Sequence, residues 1–126
     1  MRPRKKILLY TRDEIFAGEL RFMLETRGAY RVIHVASVPD VLVCCACYDL
    51  VMAEMLSSAK ALAREVKKIR ADLPVLAFSR FTNAYPLPNW SDCFIPEALC
   101  NSENILQCVA VLVQRKRGPK PQARAA

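Results

Sequence analysis

Glu54 closes the run Tyr48-Asp49-Leu50-Val51-Met52-Ala53-Glu54, a segment of strand length that is apolar on both faces and too short for a core helix. In an open sheet of parallel strands, ligands and chemistry gather outside the carboxyl ends of the strands, so this carboxylate stands where function is usually found. A second polar group, Thr11-Arg12-Asp13-Glu14, follows the apolar run Lys6 to Tyr10. One hydroxyl, one cation and two acids do not make the Gly/Ser/Thr-rich loop that a flavin or phosphate site would want. His34, the single histidine, lies in a strand-like run, and no Ser/His/Asp constellation is readable, so an enzyme is the least supported class. Cys44, Cys45 and Cys47 crowd together while Cys93, Cys100 and Cys108 are scattered, and no Cys-x-x-Cys occurs. They read as reduced thiols filling a cytosolic core, with no metal or cofactor expected.

The elements that must position these residues fit one domain. The chain has 126 residues, 53% apolar and 25% charged, enough for a single core. Its longest apolar run, Val41 to Tyr48, is far short of the roughly 20 residues of a membrane span. The basic start is followed by only Ile7 to Tyr10 before charge returns, so no export signal is read and a cytoplasmic location is expected. The net charge of +7 belongs to the ends: Arg2, Arg4, Lys5 and Lys6 at the front, and Arg115, Lys116, Arg117, Lys120 and Arg124 at the back. Residues 1–5 form a basic arm, 6–115 the domain, and 116–126 a disordered basic tail with prolines.

Along the domain, Lys6 to Tyr10 predicts a first strand, and Phe16, Leu20, Met23 and Leu24 recur at helical spacing from Asp13 to Arg27, with Gly28 as the stop. Tyr30 to Val35 reads as strand, Ser37 caps a short helix with Pro39 in its first turn, and the third strand follows at Tyr48. Ser57 or Ser58 opens an amphipathic helix with Leu62, Val66, Ile69 and Leu73 on one face, and Pro74 stops it. Its basic face, Lys60, Arg64, Lys67 and Lys68, reads as solvated surface. Val75 to Phe78 makes a fourth strand. Asn83, Pro86 and Pro88 exclude a full helix from Arg80 to Asn89. Asp92 to Ile95 is a fifth strand, and Asn101 to Arg115 a last helix. Strands alternating with helices imply a doubly wound α/β fold of flavodoxin-like order 2-1-3-4-5, with a shortened or missing fourth helix.

In the order and spacing of these segments the chain resembles a response-regulator receiver domain from Lys6 to about Arg115. Lys6-Ile7-Leu8-Leu9-Tyr10 resembles the family's first strand, Asp49-Leu50-Val51-Met52-Ala53-Glu54 its third, and Leu73-Pro74-Val75-Leu76-Ala77-Phe78-Ser79 its fourth with the hydroxyl that follows. The resemblance implies a phospho-acceptor position at Glu54, a metal-binding acidic pair at Thr11 and Arg12, a hydroxyl at Ser79 and a lysine position at Pro96 or Ile95. Three of these four are altered. A cation at Arg12 and a neutral oxygen at Thr11 are poor ligands for Mg²⁺, and phosphoryl transfer depends on that metal's charge. Asp13 is more simply a helix cap than a ligand. The reading is a degenerate receiver without phosphotransfer. Arg12 could pair with Glu54, its guanidinium standing in for the metal, or both could face water.

Two kinds of partner follow. The resemblance implies a protein-binding and dimer face around the fourth helix and fifth strand, where Phe81, Tyr85 and Trp90 are candidate anchors for a signalling protein or a second copy. Trp90 reads more readily as core. The alternative is a nucleic-acid-associated protein whose basic residues Arg2, Arg4, Lys5, Lys6, Arg115, Lys116, Arg117 and Lys120 contact phosphates from one edge of the sheet.

Overall fold

The computed structural model describes residues 4–80 and 88–114. Five parallel strands, β1 (Lys6–Tyr10), β2 (Arg31–Val35), β3 (Leu50–Glu54), β4 (Val75–Phe78) and β5 (Cys93–Ile95), form one sheet in the order β2-β1-β3-β4-β5. This is the expected doubly wound order. Four helices accompany it: α1 (Glu14–Arg27), α2 (Val38–Cys44), α3 (Ala59–Ile69) and α4 (Ser102–Val113). The expected bounds hold to within two residues except at the end of α3, expected at Leu73 and found at Ile69, and the 3₁₀ turns at Cys45–Cys47 and Glu97–Leu99 are additions that the apolar pattern does not signal.

Strand alternation builds two cores. Ile7, Leu9, Leu50, Met52, Leu76 and Phe78 point to the face covered by α1 and α4, where Leu20, Leu24, Ile105 and Val109 close over them. Leu8, Tyr10, Val51, Ala53 and Val75 point to the opposite face, where α2 and α3 supply Val41, Leu62, Ala63 and Val66. All five residues of β3 are buried, as a strand covered on both sides must be.

The helix ends are set largely by the residues expected. Asp13 Oδ1 accepts from Phe16 N at 3.0 Å, Ser37 Oγ from Asp40 N at 3.3 Å and Asn101 Oδ1 from Asn104 N at 2.9 Å. Ser58 precedes α3 without a capping bond, and its hydroxyl meets the Tyr10 hydroxyl at 2.6 Å instead. At the end of α1 the left-handed residue is Ala29, φ 58°, and not Gly28. Gly28 is needed for a different reason, since a Cβ there would lie 2.5 Å from the Tyr30 ring. On α3, Ile69 is 45% exposed although its spacing placed it with Leu62 and Val66. That helix ends at Ile69, capped at Arg70, so Pro74 lies beyond the stop. None of the six cysteines, all among the described residues, is in a disulfide; only Cys45 is fully buried and Cys47 is exposed, so they fill the core less than expected. No helix among the described residues is long and apolar enough to cross a membrane.

Candidate functional site

The ends of β1, β3 and β4 meet at the carboxyl edge of the sheet. Register pairs Tyr10 with Ala53 and Glu54 with Phe78, so the residues after β1 and β4 flank Glu54 from both sides. Thr11, Glu54 and Ser79 are the three buried polar residues among those described. Thr11 Oγ1 donates to Glu54 Oε1 at 2.5 Å. The Thr11 carbonyl accepts from His34 Nε2 at 2.8 Å, which ties the turn to β2 and fixes the proton on that nitrogen. Ser79 is held by its backbone, whose N–H donates to Ile95 O at 3.0 Å.

The group that fills this pocket is Arg80. Its Nε donates to Glu54 Oε2 at 3.0 Å and one terminal nitrogen to Asp13 Oδ2 at 3.1 Å. Its guanidinium carbon lies 4.3 Å from the centre of the Phe16 ring, so the planar cation is stacked on its face and bonded at its edge. Phe16 in turn packs against Phe78, ring centres 5.7 Å apart, on the α1/α4 core. Arg80 is 19% exposed and Glu54 6%, so water screens this pair little. Asp13 is more open, at 40%. The Phe16 amide holds its carboxyl below the usual range, and the Arg80 charge adds to that against the opposing effect of desolvation.

Neither alternative for Arg12 and Glu54 describes the structure: Glu54 is buried and bonded to a cation, but that cation is Arg80, and Arg12 faces outward. Arg12 is exposed and makes no ion pair among the described residues, because Thr11 turns inward to Glu54 and Asp13 caps the helix, leaving the residue between them pointing out. Asp13 proves to be both a cap and a member of the pocket. In the sequence Arg80 is only the start of an irregular connection. Its position directly after Ser79, two residues past the end of a strand adjacent to β3, is the signal that could single it out.

The remaining candidates lie apart. Ile95 ends β5 and Pro96 follows it, so no ammonium group stands at the lysine position. Trp90 is partly buried against the α2/α3 core, in keeping with its reading as core. Phe81 and Tyr85 lie outside the described residues, as do Arg2, Arg115, Lys116, Arg117, Lys120 and the question of a missing helix at 81–87. Arg4 and Lys5 are exposed at the opposite edge, and Lys6 Nζ lies 5.4 Å over the Tyr48 ring.

No family model matches the chain, and no curated protein does. Solved structures do. An orphan response regulator of H. pylori superposes with a TM-score of 0.73 at 18% identity, covering 89% of this chain and 100% of its own. A CheY-like receiver domain from Methanospirillum hungatei gives 0.74 at 18% identity over 88% and 94%. The receiver domain of a Francisella response regulator gives 0.75 at 16% over 90% and 100%. At such identity the likeness establishes the fold: a flavodoxin-like sheet of the receiver type.

Receivers imply a divalent cation, and the residues present do not fit one. A hard cation needs free anionic oxygens. Here Glu54 Oε1 is taken by Thr11, Glu54 Oε2 and Asp13 Oδ2 by Arg80, and Asp13 Oδ1 by the Phe16 amide. All four carboxylate oxygens already accept hydrogen bonds, two of them from a fixed positive charge.

Proposed function

We propose that the chain is a receiver-type signalling module that works without phosphorylation, its acceptor pocket filled by its own arginine. One observation carries this reading: Arg80 bridges Glu54 and Asp13 at 3.0 and 3.1 Å, the position in which a metal's charge would be needed for phosphoryl transfer. A guanidinium supplies charge but has no open coordination site to align a phosphoryl oxygen. The likeness of the fold to receiver domains supports a role in signalling, and the chemistry of this chain's own pocket supports independence from phosphate.

Such a module acts as a cytoplasmic binding surface held in one state. Its partner is a signalling protein or a second copy, engaged beside β5, where Trp90 is only partly buried; Phe81 and Tyr85 are further candidate anchors by residue type alone. The direct test is incubation of the full chain with acetyl phosphate and Mg²⁺, followed by intact mass spectrometry. The chain is expected to stay unmodified. Gain of one phosphoryl group, mapped by peptide analysis to Glu54 or Asp13, contradicts the reading.

A further inference from the structure

The opposite, amino edge of the sheet is electrostatically divided. Before β3, β4 and β5 stand acids, and each is engaged: Asp49 accepts from Lys6 N at 2.7 Å, Asp72 from Arg70 at 3.1 Å, and Asp92 from Lys67 at 2.9 Å and Val75 N at 2.7 Å. Before β1 and β2 stand cations. Arg4 and Lys5 lead into β1 and are exposed; Lys6 pairs in register with Arg31, which is also exposed. Arg4, Lys5 and Arg31 make no ion pair among the described residues. Arg31 N donates to Lys5 O at 2.9 Å, so these cations sit on two adjacent strands with fixed spacing.

We propose that this corner, Arg4, Lys5, Lys6 and Arg31, binds the sugar-phosphate backbone of duplex nucleic acid. Uncompensated cations on a rigid edge release counterions when they meet a regularly charged polyanion, and arginine suits phosphate oxygens with its fork of donors. Arg31 joins the set only through the fold, since it lies far in sequence from either basic end. The sequence continues the charge after α4 with Arg115, Lys116 and Arg117. Neither 1–6 nor 115–126 carries an apolar side chain larger than that of Met1. A membrane surface wants apolar side chains to insert beside the charge, and this composition favours nucleic acid over lipid. None of this depends on the state of the Arg80 pocket.

The test is fluorescence anisotropy of a labelled duplex with the full chain between about 50 and 200 mM salt. The wild type is expected to bind with an affinity that falls steeply across that range. The triple variant Arg4→Ala, Lys5→Ala, Arg31→Ala is expected to lose at least about tenfold in affinity and to flatten the log–log salt slope by about 2–3, with an unchanged melting temperature. The double variant Lys60→Ala, Arg64→Ala, on the exposed face of α3, is expected to bind as wild type. Four results would overturn the proposal: no salt-dependent binding, a triple variant that binds undiminished, an equal loss in the α3 variant, or tighter attachment to phosphatidylserine vesicles than to the duplex.

Discussion

Arg80 Nε and Glu54 Oε2 lie 3.0 Å apart across 26 residues of sequence, joining the end of β3 to the segment that leaves β4. Because Glu54 is buried, removing the guanidinium leaves a charge with one remaining donor, Thr11. The pair is therefore coupled. A double-mutant cycle of Arg80→Ala and Glu54→Gln, read by urea denaturation, is expected to show an interaction energy of about 1–3 kcal/mol. Arg12→Ala is expected to change stability by no more than about 0.5 kcal/mol. Additive losses at Arg80 and Glu54 would dissolve the pair.

Thr11 contributes the other half of the carboxylate's environment. Thr11→Val keeps the shape and removes the O–H donated to Glu54, which is expected to cost about 1.5–3 kcal/mol, while Thr11→Ser restores most of it. Denaturation midpoints of the two variants measure this. Equal stability of Thr11→Val and wild type would mean that the 2.5 Å contact contributes nothing.

Acid should loosen the same pocket through Asp13. Its folded pKa lies below the ordinary value of 3.8, so its contribution is complete above that value and is lost as pH falls through the lower folded value. Asp13→Asn keeps the helix cap but cannot titrate. Melting curves over acidic pH are expected to show a shallower decline for Asp13→Asn below about pH 4. A decline as steep as that of wild type would place the acid sensitivity elsewhere.

Gly18 within α1 and Gly28 at its end are expected to respond in opposite directions. A Cβ at Gly18 meets nothing within 4 Å, so Gly18→Ala gains helix propensity and is expected to stabilise by about 0.5–1 kcal/mol. Gly28→Ala would push against the Tyr30 ring and Leu24 O, and is expected to destabilise. Thermal midpoints moving in the same direction for both would contradict the packing described at the helix end.

The fold is legible in the sequence because its signals are local. Apolar runs of strand length fix the strands, and Asp13 and Ser37 are capping residues read from type alone. Glu54 is legible for a related reason: a carboxylate ending a doubly buried strand has to be neutralised or bonded. What sequence does not show is which cation reaches it. Arg12 and Arg80 both follow strands adjacent to β3, and they differ in side-chain direction, which residue type does not reveal. Gly28 shows the same limit: a glycine is a sound helix stop as a statistic, yet the left-handed φ falls on Ala29, and the glycine is required by a ring two residues on.

A guanidinium held between Glu54 and Asp13 is the central feature of this pocket, and a Mg²⁺ titration followed by backbone amide shifts tests most directly the proposal that it excludes a metal. In the wild type, amides of Thr11, Asp13 and Glu54 are expected to show no saturable shift, whereas in Arg80→Ala the freed carboxylate oxygens are expected to produce weak, saturable shifts at those same residues. Saturable shifts at Glu54 in the wild type, equal to those in Arg80→Ala, would show that the arginine does not hold the pocket.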